Sequence, residues 1–117
     1  MRRLLVAFLA LIPLTGCIAP LSPSATPQNP TYGCVYADEI RNVWQQDADW
    51  AIHIAMRESG CDQSAYNRSG ASGVFQLLNH GDLLAAVCLD ADPFLADCNI
   101  RAAWLLYQGS GRSPWNL

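Results

Sequence analysis

The residues best placed to do chemistry lie in one stretch. It starts at Arg57-Glu58-Ser59-Gly60-Cys61-Asp62 and runs on to Ser69-Gly70-Ala71-Ser72-Gly73-Val74-Phe75-Gln76-Leu77-Leu78. Glu58 is one of only two glutamates in the chain, the other being Glu39. It follows an apolar run, where a helix would end. A helix C-terminus carries partial negative charge and disfavours an anion, and burial disfavours the charged form as well. Both effects favour a carboxyl group that keeps its proton, as a general acid working near neutral pH must. Arg57 would oppose them by turning back toward Glu58, but neighbouring residues on a helix point apart. Metal chemistry would need His53 or His80 to join cysteines, and their spacings match no zinc pattern. A structural role suits His53, and a surface role suits His80.

Positioning Glu58 requires a helix over Asp47 to Ser59. Asp47 or Asp49 can cap its start, and Gly60 suits the left-handed residue that ends it. Ala51, Ile54, Ala55 and Glu58 then share one face. Before it, Val35 to Gln46 reads as a helix with Tyr36, Ile40, Val43 and Trp44 on one side. Residues 61–72 read as a polar loop, and Gly73 to Leu78 as a short helix or turn. Gly81 to Leu89 is a further short helix. Asp92-Pro93 looks like a helix start, with Asp92 as N-cap and Pro93 in the first turn. That helix runs to about Gln108, with Ile100, Ala103, Trp104 and Tyr107 on one face, and Gly109 ends it. The tail from Gly109 is irregular, with Trp115 packing back. No alternating strand pattern and no repeat occurs, so the fold class is mainly α, in one small domain over residues 32–117.

Four segments in order resemble the soluble lytic transglycosylase (SLT) family of lysozyme-like domains. They are Glu58-Ser59, Gly70-Ala71-Ser72-Gly73-Val74-Phe75-Gln76-Leu77, Asp92-Pro93 through Asn99-Ile100-Arg101-Ala102-Ala103, and Leu106-Tyr107-Gln108-Gly109. Val74-Phe75 stands where the family has Leu-Met, and Gln108 stands where it has Asn. The resemblance covers most of residues 49–109. It implies a lysozyme-like fold that cleaves the MurNAc-GlcNAc bond of peptidoglycan glycan strands without a cofactor. In that family a single Glu acts first as acid and then as base, and the sugar's own hydroxyl attacks to leave a 1,6-anhydro end. Carried over, Glu58 is the acid/base. Ser59 orients substrate or Glu58, Gln76 hydrogen-bonds sugar groups, Tyr107 lies near Glu58, and Gln108 takes the Asn position. Packing in the core is the competing role for Tyr107. A lysozyme-like hydrolase would need a second carboxylate; Asp62, Asp82, Asp90, Asp92 and Asp97 are candidates and none is singled out. Two further readings remain: a non-catalytic wall-binding lipoprotein, and a disulfide-stapled interaction protein.

The 117 residues carry a formal charge of −3 with no lysine. Arg2 and Arg3 lie in the targeting segment, which leaves five arginines against ten acidic residues in the rest. Such a chain argues against nucleic acid as a partner and rules out charge attraction as its route to anionic lipid. Met1-Arg2-Arg3 followed by the apolar run from Leu4 to Leu14 has the flanks and length of a secretion signal. Leu14-Thr15-Gly16-Cys17 resembles the bacterial lipoprotein signal, which implies cleavage after residue 16 and lipidation of Cys17. Stable anchoring in a membrane by the acyl chains follows. Ile18 in place of the inner-membrane retention Asp points to the outer membrane in a two-membrane cell. Residues 17–31, with Pro20, Pro23, Pro27 and Pro30, read as a tether that carries the domain away from the membrane, toward periplasm or wall.

Cys34, Cys61, Cys88 and Cys98 remain, an even number in an exported domain, which implies two disulfides among three possible pairings. Cys88 with Cys98 would tie the last two helices across one short connection. Cys34 with Cys61 would then pin the first helix to the loop after Glu58, and this is the preferred pairing.

Overall fold

The computed structural model describes residues 33–116. The expected signal segment, the expected lipidation site Cys17 and the expected tether lie outside these residues. Four α-helices follow in order: α1 Ala37–Trp44, α2 Ala48–Ser59, α3 Gly81–Val87 and α4 Ala96–Ser110. A 3-10 turn, Gln45–Asp47, joins α1 to α2, and another, Ser113–Trp115, follows α4. The described residues contain only two isolated antiparallel bridges, Tyr66 with Ser72 and Ser72 with Leu77, so the mainly α reading holds. None of their helices is long and apolar enough to cross a membrane.

Trp44 is the centre of the core. It is fully buried. Its ring lies 5.3 Å from that of Phe75, 5.2 Å from Trp104 and 5.1 Å from Tyr107. Trp50 and Trp115 close the cluster. All four tryptophans thus meet in one place, each able to bury about 150–250 Å². Ile40, Ala51, Ile54, Ala55, Ile100 and Ala103 pack around them with no exposure. The helical spacing that predicted these faces is obeyed, because only that face meets the neighbouring helices.

Helices α1 and α3 are shorter than expected, and both ends of α4 shift. Asp92 does not open α4; its Oδ1 accepts the Phe94 N–H at 2.8 Å and closes a turn, and α4 begins at Ala96. Its C-terminus is also later, because Gly109 lies inside the helix and Gly111, at φ 61°, ends it. An exposed Gly109 weakens a helix by about 1 kcal/mol without breaking it. Gly73 to Leu78 is a turn and not a helix.

The disulfides join Cys34 to Cys61 and Cys88 to Cys98, as preferred from the sequence. They close separations of 27 and 10 residues. Loop closure restricts the unfolded chain more for the longer loop. Replacing Cys34 and Cys61 together by alanine is therefore expected to cost about 3 kcal/mol, and replacing Cys88 and Cys98 somewhat less. Urea unfolding followed by tryptophan fluorescence checks the order.

Candidate active site around Glu58

Helix α2 delivers Glu58 in its last turn. Gly60 (φ 65°) and Cys61 (φ 58°) are both left-handed and turn the chain away from the helix. Their N–H groups donate to Met56 and Ala55 carbonyls at 2.9 and 3.2 Å, which satisfies the helix end. The Glu58 side chain is 25% exposed.

Arg57 departs from expectation. Its side chain does turn back: Nη2 donates to Glu58 Oε1 at 2.7 Å and Nε to the same oxygen at 3.3 Å. Nη2 also donates to the Trp115 carbonyl. The spacing rule for helix neighbours fails here because the C-terminal turn supplies a second acceptor that holds the guanidinium over the helix end. A half-exposed pair of this kind adds little stability, about 0–1 kcal/mol, but it orients the carboxylate. Oε2 of Glu58 makes no hydrogen bond among the described residues, so one oxygen is held and the other is open.

Ser59 bolts the next segment into place. Its hydroxyl donates to the Val74 carbonyl at 2.6 Å and lies 3.2 Å from the Ala55 carbonyl, and it accepts the Asp62 N–H. The Trp115 indole N–H reaches the Phe75 carbonyl at 3.3 Å. Three chain segments therefore close a ring of contacts beside Glu58: the end of α2, the turn at 72–77, and the C-terminal turn.

Gln76 is left-handed at φ 50°. Its amide nitrogen donates to the Ala65 and Gly73 carbonyls, both at 3.0 Å, and ties the polar loop to the turn. Ser72 and Leu77 exchange two backbone hydrogen bonds at 3.0 Å. Beneath them lies Asn99, fully buried, with all its chemistry spent on backbone. Its Oδ1 accepts the Phe75 N–H at 2.8 Å, and its Nδ2 donates to Ser72 and Pro93 carbonyls at 3.0 and 2.9 Å. Gly73, at φ 77°, packs against this amide; a Cβ there would collide with the Pro93 carbonyl oxygen and with Asn99 Nδ2.

Glu58, Ser59 and Gln76 thus belong to one bonded frame. Tyr107 joins it only through aromatic packing, its ring 5.2 Å from Trp50, which lies 5.7 Å from Trp115. Gln108 is exposed on α4 and its side chain makes no hydrogen bond among the described residues. Sequence reasoning weighed Arg57 but expected it to point away from Glu58, and it did not include Asn99 or the Trp115 carbonyl in the site. For Asn99 the sequence does carry a signal: it falls at helical spacing with Ala96, Ala103 and Leu106, a polar residue on a buried face.

Three of the five candidate second carboxylates are committed elsewhere, while Asp82 and Asp90 are exposed and their side chains have no partner among the described residues. Asp97 pairs with Arg101 at 2.6 Å, and Asp92 holds its turn. Asp62 Oδ1 accepts the Ser64 N–H and hydroxyl at 2.8 and 2.7 Å. These bonds hold its carboxyl below the ordinary aspartate value. A lowered folded value makes the contribution to stability present above about pH 4 and lost as pH falls through it. Asp62→Asn is therefore expected to lower the melting temperature slightly at pH 7, with the two proteins converging in acid; a difference independent of pH would exclude this role. Cys88, Cys98 and Asp97 bring potential ligand atoms together, but the two sulfurs are bonded to each other. Neither His53 nor His80 stands in a cluster of this kind among the described residues.

No protein-family model, curated protein or solved structure matches the chain.

Proposed function

We propose that the chain is a lytic transglycosylase that cleaves the MurNAc-GlcNAc bond of peptidoglycan, held at a membrane by a lipid on Cys17. The observation that carries this reading is the partly exposed Glu58 side chain, whose Oε2 makes no hydrogen bond among the described residues, at the edge of a polar loop bolted to its own helix. Glu58 protonates the glycosidic oxygen through the open Oε2, the bond from that oxygen to C1 of MurNAc breaks, and the GlcNAc side leaves as its free 4-hydroxyl. The resulting carboxylate then takes the proton of the sugar's C6 hydroxyl, whose oxygen attacks C1 and closes the 1,6-anhydro ring. Neither step needs a second carboxylate, consistent with the commitment of Asp62, Asp92 and Asp97 to other bonds. Ser59 and Gln76 act mainly by holding the loop, since the Ser59 hydroxyl and the Gln76 amide nitrogen are taken up by backbone. The Arg57–Glu58 pair also favours a second reading, a wall-binding lipoprotein that has kept the site without turnover. Digestion of purified peptidoglycan by the full chain, with products identified by mass spectrometry, separates these. Anhydro ends support the transglycosylase and free reducing ends a hydrolase. Wall binding without products supports the binder.

A further inference from the structure

Two aromatic rings stand outside the core. Tyr66 is 67% exposed and Phe94 38% exposed. Their ring centroids lie 6.4 Å apart with planes inclined by 52°. Both stand on anchored backbone. Tyr66 bridges Ser72, and the preceding Ala65 carbonyl accepts both the Gly73 N–H and the Gln76 amide. The tip beyond it is closed by Asn67 N–H to the Ala71 carbonyl and Gly70 N–H to the Asn67 carbonyl, at 2.9 and 2.8 Å. Phe94 is fixed by the Asp92 turn, and the Pro93 carbonyl before it is held by Asn99. Rings placed in advance lose little freedom when a ligand arrives.

Arg68 lies two residues along the same loop, exposed. Every other described arginine is engaged: Arg41 with Asp38, Arg57 with Glu58, Arg101 with Asp97, and Arg112 over the Trp50 ring. Arg68 alone has no partner among the described residues. In a chain of net negative charge, this leaves one uncommitted guanidinium on the loop that carries Tyr66. A guanidinium fork matches a carboxylate. Aromatic faces match a flat surface of C–H groups.

We propose that Tyr66, Phe94 and Arg68 form a subsite for a sugar ring bearing a carboxylate, the rings taking its C–H face and Arg68 its anion. This rests on the glycan reading above and names which sugar of the strand is gripped: a muramyl unit without its stem peptide, whose lactyl carboxylate is free. The loop that carries Tyr66 is the one Ser59 fastens beside Glu58, so the subsite and the open carboxylate oxygen share one rigid frame.

The test uses the full chain in detergent, disulfides intact, with Glu58→Gln to stop turnover. Its titration by NMR employs two probes: the peptidoglycan tetrasaccharide of alternating GlcNAc and MurNAc, and chitotetraose, which lacks carboxylates. Tyr66→Ala and Phe94→Ala are expected to weaken the peptidoglycan tetrasaccharide at least about tenfold, with Tyr66→Phe retaining most of the affinity. Arg68→Gln is expected to weaken the same ligand about tenfold and to leave chitotetraose unchanged. Unaltered affinity in Tyr66→Ala and Phe94→Ala overturns the subsite, as does absence of binding to either sugar. Equal losses for both sugars in Arg68→Gln overturn the carboxylate contact. Tryptophan fluorescence confirms that the variants fold. Sugar binding lost in Tyr66→Ala, with no cleavage by the unmodified chain, would keep the subsite and remove the enzyme. Cleavage with unaltered affinity in the ring variants would do the reverse.

Discussion

Replacing Asn99 by alanine is expected to remove about 4 kcal/mol of stability. The side chain is fully buried and carries three hydrogen bonds to backbone. Its loss leaves the Phe75 N–H and the Ser72 and Pro93 carbonyls without that partner, and opens a cavity under the loop. An unmade buried hydrogen bond costs about 1–3 kcal/mol, where a satisfied one adds only about 1. A small domain has about 5–10 kcal/mol in all, so the variant should sit near its unfolding threshold. Asn99→Asp should fare little better, because it turns the Nδ2 donor into an acceptor facing two carbonyls. Gly73→Ala attacks the same joint from the other side by collision. Urea unfolding followed through the converging tryptophans measures the cost, and a loss under about 1 kcal/mol for Asn99→Ala would show that the amide does not hold the turn.

Glu58→Gln is expected to leave stability almost unaltered and to lower glycan cleavage by about a hundred- to ten-thousandfold. The amide keeps the size and the contact with Arg57 through its carbonyl oxygen, but it has no proton to give and accepts none as a base. Little stability is at stake because the Arg57–Glu58 pair is partly exposed, at 37% and 25%. Anhydro-sugar release per unit time, in the variant and the parent, is the measurement. Cleavage that survives the substitution would take Glu58 out of the chemistry and redirect attention to the remaining carboxylates. Loss of cleavage together with a large fall in melting temperature would instead mark Glu58 as structural.

The parts of the fold legible in the sequence are those governed by short-range rules. Apolar spacing placed α1 and α2 and the core faces of Trp44, Ile54 and Ile100, since a helix repeats every 3.6 residues wherever it lies. Gly60 marked the end of α2, because a left-handed residue there strains any side chain. Cysteine order favoured the pairing found, because the shortest connection leaves one other choice. Short-range rules misread Asp92-Pro93, where the Asp92 carboxylate served a turn in place of a helix cap; both uses employ the same acceptor, and the choice fell to Asn99, which draws the Pro93 carbonyl inward.

The arrangement at Glu58 was beyond local reading. That this residue ends a helix beside an apolar stripe follows from sequence alone. That Arg57 folds back over it depends on the Trp115 carbonyl, 58 residues away in the chain. The Ser59 hydroxyl is likewise committed by Val74, and the Gln76 amide by Ala65. Sequence by itself determined the helix phase of Glu58, because residue type and helix phase are properties of a few neighbouring positions. Only the tertiary structure decided which of its oxygens is held and which is open, because hydrogen-bond partners are chosen by segments that meet only after the core around Trp44 has closed.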